Sequence, residues 1–231
     1  MQINGKQGNE EIANEFAKYF RGTFVDSSSD CYAKKEFSDL CDNIEQFAPD
    51  CDNTDIQHID VELVDKCLRD LKVGKASGPD GLSVEHLVHA HPKLIILFKA
   101  LFRSIALHCY VPAEFGKGII VPLIKNKCGD ASSSDNYRAI TLIPVISKLF
   151  ERVILEMSQS YLQTEDTQFG FKKHIGCTNA IFVVRSTVDY FLQRGSYFYA
   201  AALDISKAYD SVEHYKLFRS LLNTGRLYQV G

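Results

Sequence analysis

The sequence lacks any hydrophobic run long enough to cross a membrane. None of its apolar stretches approaches the roughly 20 consecutive residues that a transmembrane helix needs. Its N-terminus, MQINGKQGNEEIANEF, is polar and acidic and does not have the pattern of a secretory signal. These two absences predict an intracellular protein, in the nucleus or the cytoplasm, with no membrane partner.

Paired cysteines and metal-binding spacings are also absent. The seven cysteines are an odd number, scattered along the chain without a C-x-x-C pair, so free thiols in a reducing compartment are expected. The run HLVHAHP carries three histidines, but only His86 and His89 share a helical face, and His91 does not join them. The sequence therefore predicts neither a disulfide framework nor a zinc site.

The net charge of −3 hides an uneven distribution along the chain. Residues 1–70 hold 7 basic and 16 acidic side chains, whereas residues 71–231 hold 19 basic and 13 acidic side chains. The chain thus has an acidic leader followed by a basic body. A basic body is compatible with phosphate binding, although charge alone does not indicate a fold.

Helices are predicted mainly in the first half of the chain. Apolar residues recur at helical spacing in NEEIANEFAKYFRGTF and in DVELVDKCLRDL, the second with Asp60 as its N-cap. The polar stretch 26–58 between them predicts a loop or linker with at most short helical pieces. Further helices are predicted at 83–90 and 93–109, and the strongly apolar composition of the second predicts that it is buried.

Strands are predicted later in the chain. KGIIVPLI and YRAITLI flank a polar loop and predict a hairpin, in which Pro122 indicates an edge position. Helices are predicted after Pro144 and before Gly195, followed by an apolar strand that ends at Asp204 and by a last helix, SVEHYKLFRSLLNTG. This order of elements predicts an α+β fold with helices around the late strands.

The stretch AALDISKAYDSVEH contains two acids with different expected roles. Asp210 followed by Glu213 has the spacing of a capping box, so it is predicted to cap the last helix. Asp204 follows an apolar strand, where an unpaired carboxylate is costly. It either accepts hydrogen bonds from loop amides or binds a metal ion, because a strand end fixes the position of a ligand oxygen.

Two groups of basic residues are candidates for phosphate contacts. The predicted hairpin brings Lys125 and Arg138 together, and these offer a point charge and a planar fork of donors. The segment QFGFKKHIGCTN sets Phe171 beside Lys172 and Lys173, a mixture that suits base stacking and phosphate contact. Solvated charges on an exposed hairpin, and core aromatics beside a solvated turn, explain the same residues equally well.

Four blocks in fixed order carry a resemblance to a known family. They are KASGPDG, VPLIKNKCGDASSSDNYRAITLIPVISKLFERVI, QFGFKKHIGCTNAI and AALDISKAYDSVEH. In this order and spacing they resemble the N-terminal half of the reverse transcriptase domain of non-long-terminal-repeat (LINE-type) retrotransposons. The resemblance runs from about residue 10 to the end of the sequence.

The resemblance implies a right-hand polymerase fold, with fingers and palm, and RNA-templated DNA synthesis. It implies Mg²⁺ as the cofactor and an RNA template, a DNA primer and deoxynucleotide triphosphates as partners. It also assigns roles to particular residues: Asp204 as the first catalytic, metal-binding acid of the palm, Tyr209 as the steric gate against a ribose 2′-OH, Lys125 and Arg138 as contacts of the incoming triphosphate, and Lys172 and Lys173 as contacts of template or primer.

The sequence also departs from the family pattern. NYRAIT replaces the family's NYRPIS, and the aromatic-x-Asp-Asp segment that carries the remaining metal acids is absent, since no Asp-Asp dipeptide occurs. We therefore expect a helical, acidic leader at 1–72 and a partial reverse transcriptase domain at 73–231, inactive as this fragment. The alternative is a non-catalytic retroelement remnant that acts as a nucleic-acid-binding or interaction module.

Overall fold

The computed structural model describes residues 2–23, 54–159, 162, 164–205, 208–209 and 212–221, together with the single positions 35, 38, 39 and 42. Within them the fold is α+β, as predicted. The strands are β1 (Gln2–Ile3), β2 (Lys6–Gln7), β3 (Ile119–Ile124) and β4 (Tyr137–Leu142). The helices are α1 (Asn9–Thr23), α2 (Thr54–Gln57), α3 (Val61–Arg69), α4 (Val84–Val88), α5 (Lys93–His108), α6 (Val145–Ser158), α7 (Cys177–Gln193) and α8 (His214–Leu221).

Helix α3 begins where the sequence predicts it. The Asp60 carboxylate accepts a hydrogen bond from the Leu63 amide at 2.7 Å and so satisfies one of the free N–H groups of the first turn. Val64, Cys67 and Leu68 recur at helical spacing and are buried. Burial also raises the pKa of the Cys67 thiol, because the low-polarity surroundings disfavour a thiolate.

Helices α3, α5 and α6 pack together around one hydrophobic core, which we call the helical core. Its members include Val64 and Leu68 of α3, Phe102 of α5, and Leu149 and Val153 of α6. The prediction that α5 is buried is only partly correct. Phe98, Phe102 and Ile105 lie on its buried face, whereas its other apolar residues remain on the surface, including Ile96, Leu97 and Leu107. A helix packed against neighbours along a single face exposes the rest of its circumference.

Two ion pairs join α3 to α6 beside this core. Lys66 donates to Glu156 with an Nζ–Oε1 distance of 2.5 Å, and Arg152 approaches Asp70 with an Nη2–Oδ2 distance of 3.1 Å. The hydrogen bond from Lys66 lowers the pKa of the Glu156 carboxyl. The charged groups therefore link the two helices at their solvent-facing edge, where such pairs contribute modestly to stability.

Strands β3 and β4 form the predicted antiparallel hairpin, with Ile119 opposite Leu142 and Ile124 opposite Tyr137. The Lys125 amide continues the ladder by donating to the Asn136 carbonyl at 2.7 Å. Because hydrogen-bonded pairs alternate in an antiparallel ladder, Pro122 occupies a position whose nitrogen points away from β4. Its missing N–H therefore breaks no hydrogen bond, which confirms the edge position predicted from the sequence.

A second, smaller cluster joins the N-terminus to this hairpin, and we call it the leader cluster. It consists of the buried residues Ile3, Phe16, Phe20 and Tyr137. The β1–β2 turn places Asn4 and Gly5 at φ values of 47° and 81°, as the Asn-Gly dipeptide favours in two-residue hairpins. Residues of the leader thus pack directly against the start of β4.

The predicted strand before Asp204 is wrong. Residues 196–205 have no regular secondary structure, and Tyr197, Tyr199 and Leu203 have exposed fractions of 87%, 88% and 97%. Apolar composition favours a strand only where a neighbouring strand can satisfy the backbone N–H and C=O groups. Among the described residues no strand pairs with this segment.

The predicted turn in KASGPDG is confirmed, and it also makes a close contact with the hairpin. The Gly81 amide donates to the Gly78 carbonyl at 3.1 Å, which closes the turn. A Cβ atom at Gly78 would lie 2.6 Å from the backbone carbon and oxygen of Ile143. Only glycine allows the loop after α3 to approach the end of β4 so closely.

We predict that Gly78→Ala lowers the free energy of unfolding by about 1–3 kcal/mol, because the added methyl group must displace backbone at Ile143. Chemical denaturation followed by circular dichroism measures this change. Gly116→Ala is the matched control, since nothing lies within 4 Å of a Cβ there and its φ is not positive. Equal unfolding midpoints for the two variants would contradict the close contact.

Candidate functional site

The hairpin presents Lys125 and Arg138 on the same face. Arg138 lies opposite Leu123, and Lys125 continues the ladder opposite Asn136. Side chains two residues apart on a strand point to the same side of the sheet. The two cations are therefore diagonal neighbours, with a separation of about 7–8 Å expected for such a pair.

The two cations differ in how many of their N–H groups already donate hydrogen bonds within the protein. The Lys125 ammonium donates to the Asp135 carbonyl at 2.8 Å, which leaves two of its three N–H groups for a ligand. The exposed Arg138 guanidinium makes no hydrogen bond or ion pair with any part of the chain that the structure describes. Its planar fork of donors is available for an anion.

The three adjacent residues of the sequence NYR have different structural roles at this face of the hairpin. Asn136 closes the hairpin loop, because its side chain accepts from the Asn126 amide at 3.0 Å and donates to the Asn126 carbonyl at 2.9 Å. Tyr137 is buried in the leader cluster and donates its hydroxyl to the Ala131 carbonyl at 2.8 Å. Arg138 then points outward, since successive residues of a strand alternate between faces.

The leader holds the hairpin loop by several contacts that sequence reasoning missed. Phe16 packs edge-on against Tyr137 with ring centroids 4.9 Å apart. The Asn4 side chain donates to the Ser134 hydroxyl at 3.0 Å and accepts from the Ser134 amide at 3.2 Å. The Asn-Gly dipeptide was the available sequence signal, but it predicts only the local turn and not the partner against which that turn packs.

The QFGF segment approaches the residue expected to act as steric gate. Phe171 and Tyr209 meet edge-on with ring centroids 6.4 Å apart, and both side chains are largely exposed. Phe171 and His174 adopt left-handed φ values of 61° and 64°, which are costly for residues with a Cβ. The structure therefore brings two segments that lie far apart in sequence to one exposed aromatic pair.

The lysines of this segment are engaged in local hydrogen bonds. Lys172 donates to the Glu165 carbonyl at 2.6 Å, and Lys173 donates to the Gln159 side chain at 3.1 Å. Both keep further N–H groups free for a phosphate. Among the described residues, no contact joins Lys172 or Lys173 to Lys125 or Arg138. We therefore treat the four cations as two separate groups.

Asp204 is exposed and lies in the irregular segment 196–205. Throughout the residues that the structure describes, no group of three or more His, Cys, Asp or Glu side chains is arranged to hold a metal ion. One carboxylate does not fit a two-metal site, which needs several oxygen ligands from the protein. Asp210, predicted to cap the last helix, lies outside the described residues.

We predict that Phe16→Ala loosens the hairpin selectively. Removing a buried phenyl ring lowers stability by about 3–5 kcal/mol. Because Phe16 packs in the leader cluster, this change should destabilise that cluster first. Hydrogen exchange measured by mass spectrometry should therefore accelerate in residues 2–7 and 119–142 more than in α5, which packs in the helical core. Phe171→Ala is the control because that ring is 89% exposed. Uniform acceleration along the chain would contradict a separate role for the leader cluster.

No helix of the described residues combines the length and apolar character needed to cross a bilayer.

Known proteins of one kind resemble part of this chain. Residues 124–226 match the family model described as reverse transcriptase (RNA-dependent DNA polymerase). The chain is 27% identical over 167 residues to the putative 115 kDa protein in type-1 retrotransposable element R1DM of Drosophila melanogaster, covering 67% of this chain and 15% of that protein. It is 26% identical over 183 residues to the RNA-directed DNA polymerase from mobile element jockey of Drosophila melanogaster, covering 76% of this chain and 20% of that protein.

A third relative is the retrovirus-related Pol polyprotein from type-1 retrotransposable element R2 of Popillia japonica. It is 22% identical over 150 residues, covering 65% of this chain and 20% of that protein. The chain thus spans a fifth or less of the length of these three curated relatives. The matched region includes the Arg138 strand, the QFGF segment and Asp204. The comparisons therefore support a LINE-type reverse transcriptase domain over this region, by similarity to these retrotransposon proteins.

Proposed function

We propose that this chain contributes the nucleotide-binding portion of an RNA-directed DNA polymerase of retrotransposon origin. The observation that carries the proposal is the hairpin face on which Lys125 and Arg138 are diagonal neighbours. In a right-hand arrangement, residues 73–231 would supply fingers and the start of the palm, and residues 1–72 would form the leader before them. The substrates would be an RNA template, a DNA primer and deoxynucleotide triphosphates.

The chemistry of the two cations suits a triphosphate. Lys125 offers a compact charge that can follow a phosphate oxygen, and Arg138 offers two parallel donors to a phosphate edge. Both side chains are exposed, and the Asn136 loop and the leader cluster fix the strands that carry them. The hairpin therefore holds the two cations at a set spacing while their ends remain accessible to a ligand.

The exposed aromatic pair would lie close to the sugar and the template. Tyr209 would act as the steric gate, where an aromatic ring crowds a ribose 2′-OH and favours a deoxyribose. Phe171 contacts that ring and would support its position. Lys172 and Lys173 follow Phe171 directly and would contact the phosphates of template or primer.

Magnesium would supply positive charge that stabilises the attacking and leaving oxygens of nucleotide transfer. Asp204 would be one ligand. It is a single exposed carboxylate, however, and does not by itself fit two Mg²⁺ ions. Further carboxylates would have to join it before this family's chemistry could proceed.

We predict that the hairpin cations bind the triphosphate group. The Lys125→Gln, Arg138→Gln double variant should bind a fluorescent deoxynucleoside triphosphate at least tenfold more weakly, since losing even one charged hydrogen bond costs about 1.5–3 kcal/mol and tenfold corresponds to about 1.4 kcal/mol. Fluorescence anisotropy measures this affinity. A labelled deoxynucleoside, which lacks phosphates, should bind neither protein.

The matched control is Lys93→Gln, Arg185→Gln, which removes the same charges from α5 and α7. It should leave the affinity within twofold of the unsubstituted chain. An equal loss in both double variants would show that only net charge matters, and it would refute the assignment of Lys125 and Arg138.

We also predict that the 231-residue chain alone shows no primer extension with Mg²⁺ and deoxynucleotides. The physical reason is that one carboxylate cannot hold both metal ions. Gel-resolved extension of a labelled primer on an RNA template measures this. Extension that Asp204→Ala abolishes and Asp189→Ala preserves would refute the prediction.

A non-catalytic nucleic-acid-binding module is the second candidate. The excess of basic over acidic residues in 71–231 favours it, because phosphate binding without metal requires only cations. Nucleic-acid binding without specific triphosphate binding would distinguish this candidate from the first.

A further inference from the structure

A small cavity lies where the loop after α3 meets the beginning of α6. Its volume is about 180 Å³. Leu71, Val84 and Val145 are among the apolar residues that line it, and Lys72, Lys75 and Lys148 also border it. We call it the lysine cavity. Lys72 and Lys75 lie outside the region that matches the reverse transcriptase family model, which begins at residue 124.

Three parts of the chain bring the lysines together. Lys72 follows the end of α3, Lys75 opens the KASGPDG loop, and Lys148 lies in the first turn of α6. The close approach of Gly78 to Ile143 holds the loop against the junction of β4 and α6. The Gly74 amide also donates to the Glu85 carboxylate, which ties the other end of the loop to α4.

The nearby carboxylates leave the lysines without a partner among the described residues. Asp70 pairs with Arg152, Asp80 accepts from the Leu82 amide, and Glu85 accepts from Gly74. Glu151 lies three residues after Lys148; burial raises the pKa of its carboxyl and the charge of Lys148 lowers it, although the described residues show no ion pair between the two. None of the three lysines makes an ion pair or a side-chain hydrogen bond within the described part of the chain.

Three lysines border one cavity without an ion pair among the described residues, and only Lys148 has a neighbouring carboxylate, Glu151, that its charge influences. Such a group of cations produces a local positive potential, which attracts anions. The first turn of α6 adds to it, because that turn contains no acidic residue and its cap residue, Pro144, provides no side-chain hydrogen bond. The site thus combines ammonium donors at its border with an apolar lining of leucine and valine side chains. Such a combination matches a ligand with both charged and carbon-rich parts.

We propose that the lysine cavity binds the phosphodiester backbone of a single-stranded nucleic acid. The lysine ammonium groups would contact phosphate oxygens, and the apolar lining would accept the carbon atoms of a sugar. The cavity is smaller than the roughly 300–1,000 Å³ of pockets that enclose a whole small molecule. It therefore suits one unit of a polymer that passes over the surface. The inference rests on the proposed function, since nucleic acid is the substrate of that activity.

The test compares two triple variants in the complete 231-residue chain. Lys72→Gln, Lys75→Gln, Lys148→Gln removes the lysine cavity's charges, and Lys6→Gln, Lys18→Gln, Lys93→Gln removes three charges elsewhere. Anisotropy of fluorescein-labelled 20-nucleotide RNA and DNA strands is measured across a series of KCl concentrations. The cavity variant should bind about tenfold more weakly at low salt. The slope of log affinity against log salt should fall by roughly 2, about 0.7 for each of three lost contacts.

The control triple variant should keep its affinity within twofold and its slope unchanged. Lys72→Arg, Lys75→Arg, Lys148→Arg, which keeps all three charges, should retain the affinity and confirm that the variants fold. Equal losses in the cavity variant and the control would refute the proposal, as would no loss in the cavity variant. A loss for both RNA and DNA supports backbone recognition, whereas a loss confined to RNA would refute recognition through the phosphodiester alone.

Two competition experiments distinguish a cavity that binds a nucleic-acid strand from one that binds a free phosphate anion. Inorganic phosphate and a deoxynucleoside triphosphate should displace labelled RNA no better than KCl of the same ionic strength. Stronger displacement that depends on the three lysines would assign the cavity to a free phosphate group and refute the polymer.

The triphosphate assay on the same variants separates this inference from the proposed function. The cavity variant should keep its triphosphate affinity, because Lys125 and Arg138 are unchanged. If the unsubstituted chain binds RNA through the cavity but binds no triphosphate, the proposed function fails and the cavity assignment stands. If the chain binds triphosphate through the hairpin but binds RNA independently of the cavity, the cavity assignment fails and the proposed function stands.

Discussion

The close approach of Gly78 to the backbone of Ile143 is the contact on which the arrangement of the basic residues depends. It joins the loop after α3 to the end of β4, at the point where the chain turns into α6. The helical core includes residues of α3 and α6 on both sides of this contact, so the loop cannot shift without disturbing that core. A side chain at position 78 would separate the loop from the hairpin's base and change both the lysine cavity and the direction in which β4 leaves the core.

The hairpin is held at its other end by the leader cluster. Tyr137 begins β4 and packs against Phe16 of α1, while Asn4 bonds to Ser134 just before the strand. A two-stranded hairpin is only marginally stable alone in water. Here its loop end packs in the leader cluster, and Ile143, just after β4, lies against Gly78. The leader therefore contributes to the position of the cationic face, although it carries none of the residues assigned to the triphosphate.

Much of the fold follows from local patterns. Asp60 caps α3, Gly195 ends the turn after α7 with a φ of 70°, and Pro122 occupies a ladder position that needs no N–H. Each depends on chemistry within a few residues. The predicted strand before Asp204 fails for the opposite reason: Tyr197, Tyr199 and Leu203 have the composition of a strand, but a strand also requires a partner. The prediction that α5 is buried fails in part because composition does not reveal how many faces its neighbours cover.

The sequence by itself determined the α+β class, the β3–β4 hairpin and the resemblance to reverse transcriptases, because the blocks around Gly78, Arg138, Phe171 and Asp204 stand in a fixed order that can be read along the chain. Only the tertiary structure decided which of these residues meet. It paired Phe171 with Tyr209, packed Phe16 on Tyr137, and gathered Lys72, Lys75 and Lys148 around one cavity. Local patterns fix backbone conformation over a few residues, whereas contacts between distant segments depend on how the two hydrophobic clusters pack, and no single segment specifies that packing.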